Sequence, residues 1–314
     1  MNVITPLQAE RLFTHFIDDV DGVVCLSACA TAADIHAQAA AHRLRFPLML
    51  DASAMLVEQI NASTFAPASC RFGPYCDNVL GMNWRLPDGR VVRIGERVVK
   101  TTTGYDWLRF LLHTGIRFGE PLDYVLRLRP DCGHSFYGRF DGAVDALRAG
   151  VCALLHSGWM HWWESVDFVV EEGGAFVRVA VHCPLREAVL FADQLRTMAT
   201  AQGLRLTVET NAEPPADGLP DLVIKTTPDR ALTLACELSR SGVRCMALCY
   251  NGVVHVWLPE TADRLARIDQ LVQPHLTELH ALGGDWHSRH LLAPAPTPAE
   301  TVWLKTLEIA IHDH

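Results

Sequence analysis

The chain has 314 residues, 49% apolar and 20% charged, with 27 Lys and Arg set against 36 Asp and Glu for a formal net charge of −9. That balance excludes a disordered or fibrous chain and leaves no basic footprint for nucleic acid. Its longest apolar runs, such as Val151–Leu155 and Ala188–Ala192, fall far short of the ~18 residues that a bilayer-crossing helix needs. Met1–Pro6 has no basic and then apolar leader, so the expectation is a cytoplasmic protein without an integral membrane segment, its cysteines kept as thiols. The spacings Cys25 to Cys29 and Cys70 to Cys76 match no standard zinc pattern, and no metal site is expected.

In chain order, Thr5 and Pro6 open a predicted helix through Asp19, with Leu7, Leu12, Phe13, Phe16 and Ile17 on one face. A strand over Gly22–Leu26, a helix from the Thr31 cap to Ala41 and a strand over Phe46–Leu50 read as a βαβ unit. Val79–Leu86 and Arg90–Ile94 flank Asp88-Gly89, a turn pair suited to a hairpin, and Tyr124–Leu128 is a further strand. The Gly- and Arg-rich stretch Asp131–Gly150 reads as a crossover, which divides the chain into domains 1–130 and 131–314. Beyond it come a hairpin (Ser165–Val170, Ala175–His182), a helix (Pro184–Gln202) and a strand (Leu206–Glu209). The order from Leu222 to Leu291 is β-α-β-β-α-β, a ferredoxin-like arrangement, with a hairpin at Asn251-Gly252 and a helix over Asp263–Leu282. A Pro-rich tether, Pro294–Pro298, and a helix, Thr301–Ile311, close the chain. Trp159, Trp162 and Trp163 fall on one helical face and predict a packed interface or a partner surface.

The segments Cys70–Gly81 (CRFGPYCDNVLG), Leu86–Val92 (LPDGRVV), Val98–Asp106 (VVKTTTGYD) and Leu126–Pro130 (LRLRP) stand in one fixed order. Together they resemble the FAD-linked oxidases of the vanillyl-alcohol oxidase type, also called the PCMH type. Within that family they resemble most closely the glycolate oxidase flavin subunits, above all the one that accompanies the catalytic flavoprotein subunit. The resemblance implies an α+β fold in which a shortened PCMH-type FAD-binding-like domain precedes a ferredoxin-like antiparallel α+β domain. It also implies non-covalent FAD, held by Arg71, Gly73, Lys100, Gly104, Tyr105, Asp106 and Gly119. Glycines let a backbone approach a cofactor closely, and Arg71 and Lys100 carry charge that suits a diphosphate. Read without the family, Gly73-Pro74 is equally an ordinary turn, and Gly104-Tyr105-Asp106 equally a helix start.

The sequence departs from the family where a Gly-rich diphosphate loop normally follows the first βαβ unit. Phe46–Asp51 runs straight into Ala52–Leu56, and no glycine occurs between Gly22 and Gly73. The family's Gly-Thr-Leu-Gly element stands as Ile116-Arg117-Phe118-Gly119. A member with this shortening is expected to be a companion of a catalytic flavoprotein subunit, and of an iron–sulfur subunit, in a 2-hydroxy-acid dehydrogenase complex. If the chain is itself the enzyme, oxidising a small hydroxy acid, it needs a base and a carboxylate clamp beside the flavin. His255 and His290 are the candidate bases, with Arg289 or Arg244 as the clamp. The same residues also read as the polar face of an amphipathic sheet. A third expectation is a ligand-binding or regulatory protein that keeps the fold without redox chemistry.

Overall fold

The computed structural model describes residues 14–95, 107–112, 118–210, 218–240, 242–259, 264–282 and 285–288. Its first part contains β1 (Phe16–Asp18), β2 (Val23–Ser27), α1 (Ala32–Ala40), β3 (Leu44–Arg45), α2 (Leu56–Ala62), α3 (Ser69–Phe72), β4 (Val79–Arg85), β5 (Val91–Gly95), α4 (Trp107–Leu112), β6 (Glu120–Arg127) and β7 (Arg129–Pro130). Five of the strands form a sheet in the order β1-β2-β6-β4-β5, antiparallel at every pairing, and β3 pairs with β7 apart from it. The expected parallel βαβ unit is therefore absent, and Phe46–Met49 is irregular chain in place of the expected strand.

Phe16–Asp18, expected at the end of a helix, is a strand. The Asp18 carboxylate accepts from the amides of Val20 and Asp21, and Gly22 takes φ +63°, so a tight turn folds β1 back onto β2. The Thr31 expectation matches the structure. Its hydroxyl caps Asp34 N while Asp34 returns a bond to Thr31 N at 2.8 Å. Ile35 and Ala39 are buried in the same core as Trp84, Tyr124 and Leu126 of the sheet, each large side chain adding about 1.5–3 kcal/mol of burial free energy.

The second part is one antiparallel eight-stranded sheet built from two copies of the same motif. The first copy is β8 (Ser135–Asp141), α5 (Val144–Leu155), β9 (Ser165–Glu171), β10 (Gly174–His182), α6 (Leu185–Ala201) and β11 (Arg205–Thr210). The second is β12 (Leu222–Lys225), α7 (Pro228–Arg240), β13 (Arg244–Leu248), β14 (Val253–Trp257), α8 (Arg264–Val272), a short α9 (Leu276–Ala281) and β15 (Asp285–Ser288). Strand order is β11-β8-β10-β9-β13-β14-β12-β15, so each copy is ferredoxin-like and the copies join where β9 pairs with β13. The stretch expected as a crossover supplies β8 and α5. The predicted long helix over Asp263–Leu282 is broken at Gln273–His275, where Pro274 lacks the amide for the helical ladder.

The sheet has two unlike faces. One buries Val166, Phe168, Val177, Val179, Val254 and Val256 with apolar residues of α5, α6 and α7. The other carries Val169, Phe176, Val223 and Met246, and Phe65 of the first part packs on it. Trp159, Trp162 and Trp163 all meet the Phe191 ring, with centroids 5.4–5.8 Å apart. No described helix is long and apolar enough to cross a membrane.

Candidate functional site

The loop from Leu50 to Leu56 stands where a diphosphate-binding loop is expected, and most of its amides are already occupied. The buried Gln59 side chain accepts from Leu50 N at 2.8 Å and Asp51 N at 3.3 Å, and donates to Ala54 O at 3.0 Å. Ser53 N donates to Asp51 Oδ1 at 2.8 Å, Met55 N to Glu58 Oε2 at 3.0 Å, and Leu56 N to Ala30 O at 2.9 Å. Hydrogen bonds from Ser53 hold the Asp51 carboxyl below the usual carboxylate range, so the loop carries fixed negative charge. An anion cradle needs several unpaired N–H groups and no competing acid.

Two glycines expected at the cofactor serve the chain's own packing. Gly119, at φ +117°, leaves no space for a Cβ, which would lie 2.0 Å from Arg85 O and 2.7 Å from the Trp84 indole nitrogen. Gly73 ends α3 at φ +77°, with the Asp77 carboxylate 2.9 Å from where a Cβ would stand. These residues and the Leu50–Leu56 loop do not fit a flavin diphosphate.

His255 lies on β14, on the sheet face that meets the first part, and is 0% exposed. Its Nε2 is 2.9 Å from the Ser63 hydroxyl, which also bonds Phe65 O at 2.8 Å. Burial, then the nearby Arg178 charge, pushes the imidazole down to about 3, so it is neutral at physiological pH. Its Nδ1 is buried without a hydrogen-bond partner among the described residues. Beneath it, Arg178 Nε donates to Asp167 Oδ2 at 3.1 Å and Arg178 also meets the Met246 sulfur at 2.7 Å. Asn251 reaches Ser69 O at 3.3 Å, and His287 lies 2.8 Å from Asn61 O. Residues 61–69 thus sit directly on this face.

Arg71 projects from α3 toward Glu164, 3.7 Å away, and its guanidinium lies 5.7 Å from the Trp162 ring centre. Arg244 stacks on Trp257 at 4.8 Å. The structure therefore places Gly119 on the five-stranded sheet, His255 on the eight-stranded one, and Arg71 and Gly73 on the segment between. Lys100, Gly104, Tyr105, Asp106, Arg289 and His290 lie outside the described residues, as do the Pro294–Pro298 tether and the Thr301–Ile311 helix. Cys70 and Cys76 are not joined in a disulfide, and burial pushes the Cys70 thiol up to about 12. Sequence reasoning missed Gln59, whose signal is a lone amide on a helix flanked by apolar neighbours, and the pair Arg178 and Asp167, whose signal is one charge in each strand of a hairpin.

No family model matches the chain. Two proteins of Mycobacterium tuberculosis, from strains CDC 1551/Oshkosh and H37Rv, each described as an uncharacterized FAD-linked oxidoreductase, are 24% identical to it over 145 residues. The match takes in 45% of this chain and 31% of each relative. Over that stretch the chain is distantly similar to proteins described as FAD-linked oxidoreductases, and its own fold is α+β.

Proposed function

We propose, starting from this distant kinship, that the chain is a non-catalytic companion of a flavoprotein in a 2-hydroxy-acid (glycolate-like) dehydrogenase complex, with its own flavin site lost. The observation that carries the reading is the Leu50–Leu56 loop, whose amides bond to Gln59, Asp51, Glu58 and Ala30 where a diphosphate would need them. His255 supports it, because an imidazole wholly buried under Ser63 has no substrate surface of its own. The exposed aliphatic side chains Leu185, Val189 and Leu190 on α6 give a partner apolar area to cover.

In this reading the division near Pro130 separates a remnant of the cofactor domain from the duplicated ferredoxin-like domain. The catalytic subunit supplies the flavin and an iron–sulfur subunit carries the electrons onward. Affinity purification of the tagged full chain from its native host tests the reading. The expected result is a yellow complex whose flavin leaves with a second polypeptide when the complex is dissociated. A chain that keeps the flavin itself, or that brings down no flavoprotein, overturns it.

A further inference from the structure

We propose that Arg45, Arg71 and Arg129 form a binding site for a phosphate group, free or carried on a small phosphate ester. The site shares Arg71 with the residues expected at an FAD diphosphate, but it does not rest on the proposed function. Arg45 and Arg129 are directly opposed partners in the β3–β7 pairing, an arrangement in which like charges destabilise a sheet unless something lies between them. Arg71 joins them from α3, and the three guanidinium carbons lie 5.9, 5.2 and 5.3 Å from the Phe72 ring centre for Arg45, Arg129 and Arg71 respectively.

Among the described residues one carboxylate serves this group. Glu164 bonds Arg45 and lies 3.7 Å from Arg71, whereas Arg129 gives its terminal nitrogen to the neutral Asn78 Oδ1 at 2.8 Å. The nearby Asp131 carboxylate accepts from Gly133 N at 2.8 Å and faces His182. His182 adds no charge, because burial and Arg45 push it down to about 4. Arg45 Nε and Arg129 Nε are both buried with no hydrogen-bond partner among the described residues. Burial, and then the charges of Arg127 and Arg71, push the Arg129 guanidinium down to about 10.

Unmatched buried donors and cations are costly and call for an anion. A phosphate group brings a charge of about −1.5 to −2 and three acceptor oxygens, which answers three forks with a surplus of two charges better than the two oxygens of a single carboxylate. The Arg71 side chain is 30% exposed and marks the side open to solvent.

Thermal melts of the full chain in sodium phosphate and in sodium chloride of equal ionic strength, followed by calorimetric titration with phosphate, test the site. Phosphate is expected to raise the melting temperature beyond chloride. Arg71→Gln is expected to weaken phosphate about tenfold, the equivalent of one lost charged contact, while melting in chloride as the parent does. Arg129→Lys keeps the charge, loses the fork and is expected to weaken phosphate as well. Glucose 6-phosphate binding more tightly than inorganic phosphate identifies an ester as the ligand, and equal binding identifies free phosphate; both support the site. Equal melting in phosphate and chloride, unchanged phosphate affinity in both variants, or malonate binding as tightly as phosphate overturns it.

Discussion

Two donor-rich regions of this molecule have opposite fates. In the Leu50–Leu56 loop most amides find acceptors on neighbouring side chains or on the Ala30 carbonyl, and Asp51 and Glu58 add negative charge. Around Phe72, two of three guanidiniums share Glu164, the third bonds the neutral Asn78, and two of their nitrogens stay buried without a partner among the described residues. A satisfied loop has nothing left to offer an anion, while an under-satisfied cluster stores a cost that an anion relieves. The contrast teaches that kinship with a cofactor-binding family does not locate the anion site; the local balance of donors and acceptors does.

The largest effect is expected at the cluster. Glu164→Leu removes the carboxylate shared by Arg45 and Arg71 and should cost about 3–5 kcal/mol in chloride, read by urea unfolding, with a smaller loss in phosphate. Equal losses in the two salts would break the contrast. At the loop, Gln59→Leu strands two amides and a carbonyl. The expected cost is about 1–3 kcal/mol for each stranded group that water fails to reach, and it should be the same in either salt.

Acid separates the two regions by pH. The pKa of His182 is lowered from 6.5 to about 4, so the unfolded chain takes up the proton first. Stability near the cluster is therefore whole above 6.5 and falls as pH drops toward 4. Asp51 is lowered from 3.8, so its contribution is present above that pH and is lost on further acidification. His255, lowered from 6.5 to about 3, spans the whole interval. Melting curves across pH should show His182→Leu flattening the upper part and Asp51→Asn the lower part. An unchanged profile in both variants would remove the assignment. The smallest effect, about 1 kcal/mol, is expected for Thr31→Ala, a helix cap bridged to Met55 of the loop, and it should not respond to phosphate.

Much of the fold is legible because its signals are local. Thr31 with Asp34, the turn at Asp88-Gly89 and the turn at Asn251-Gly252 each fix an element within a few residues. The first motif copy is not legible, since Ser135–Asp141 reads as Gly- and Arg-rich linker. Its Gly138 is small because Leu195 and Leu206 fill the space beside it, with Leu195 2.9 Å from where a Cβ would be. Phe16 and Ile17 fit a helical stripe, and the Asp18 turn overrides it by returning the chain along β2. At the site, the missing glycine-rich loop is visible in sequence, but its replacement by Gln59 is a tertiary fact. The cluster at Phe72 depends on pairing Arg45 with Arg129 across the chain, and nothing within either segment announces it.

The most direct test of the central claim is an absorption spectrum of the purified full chain after incubation with excess FAD and desalting. The satisfied Leu50–Leu56 loop predicts a colourless protein with no band near ~450 nm, where the isoalloxazine absorbs. A retained yellow band, with a melting temperature raised by FAD, would contradict the account and return the chain to the flavin enzymes.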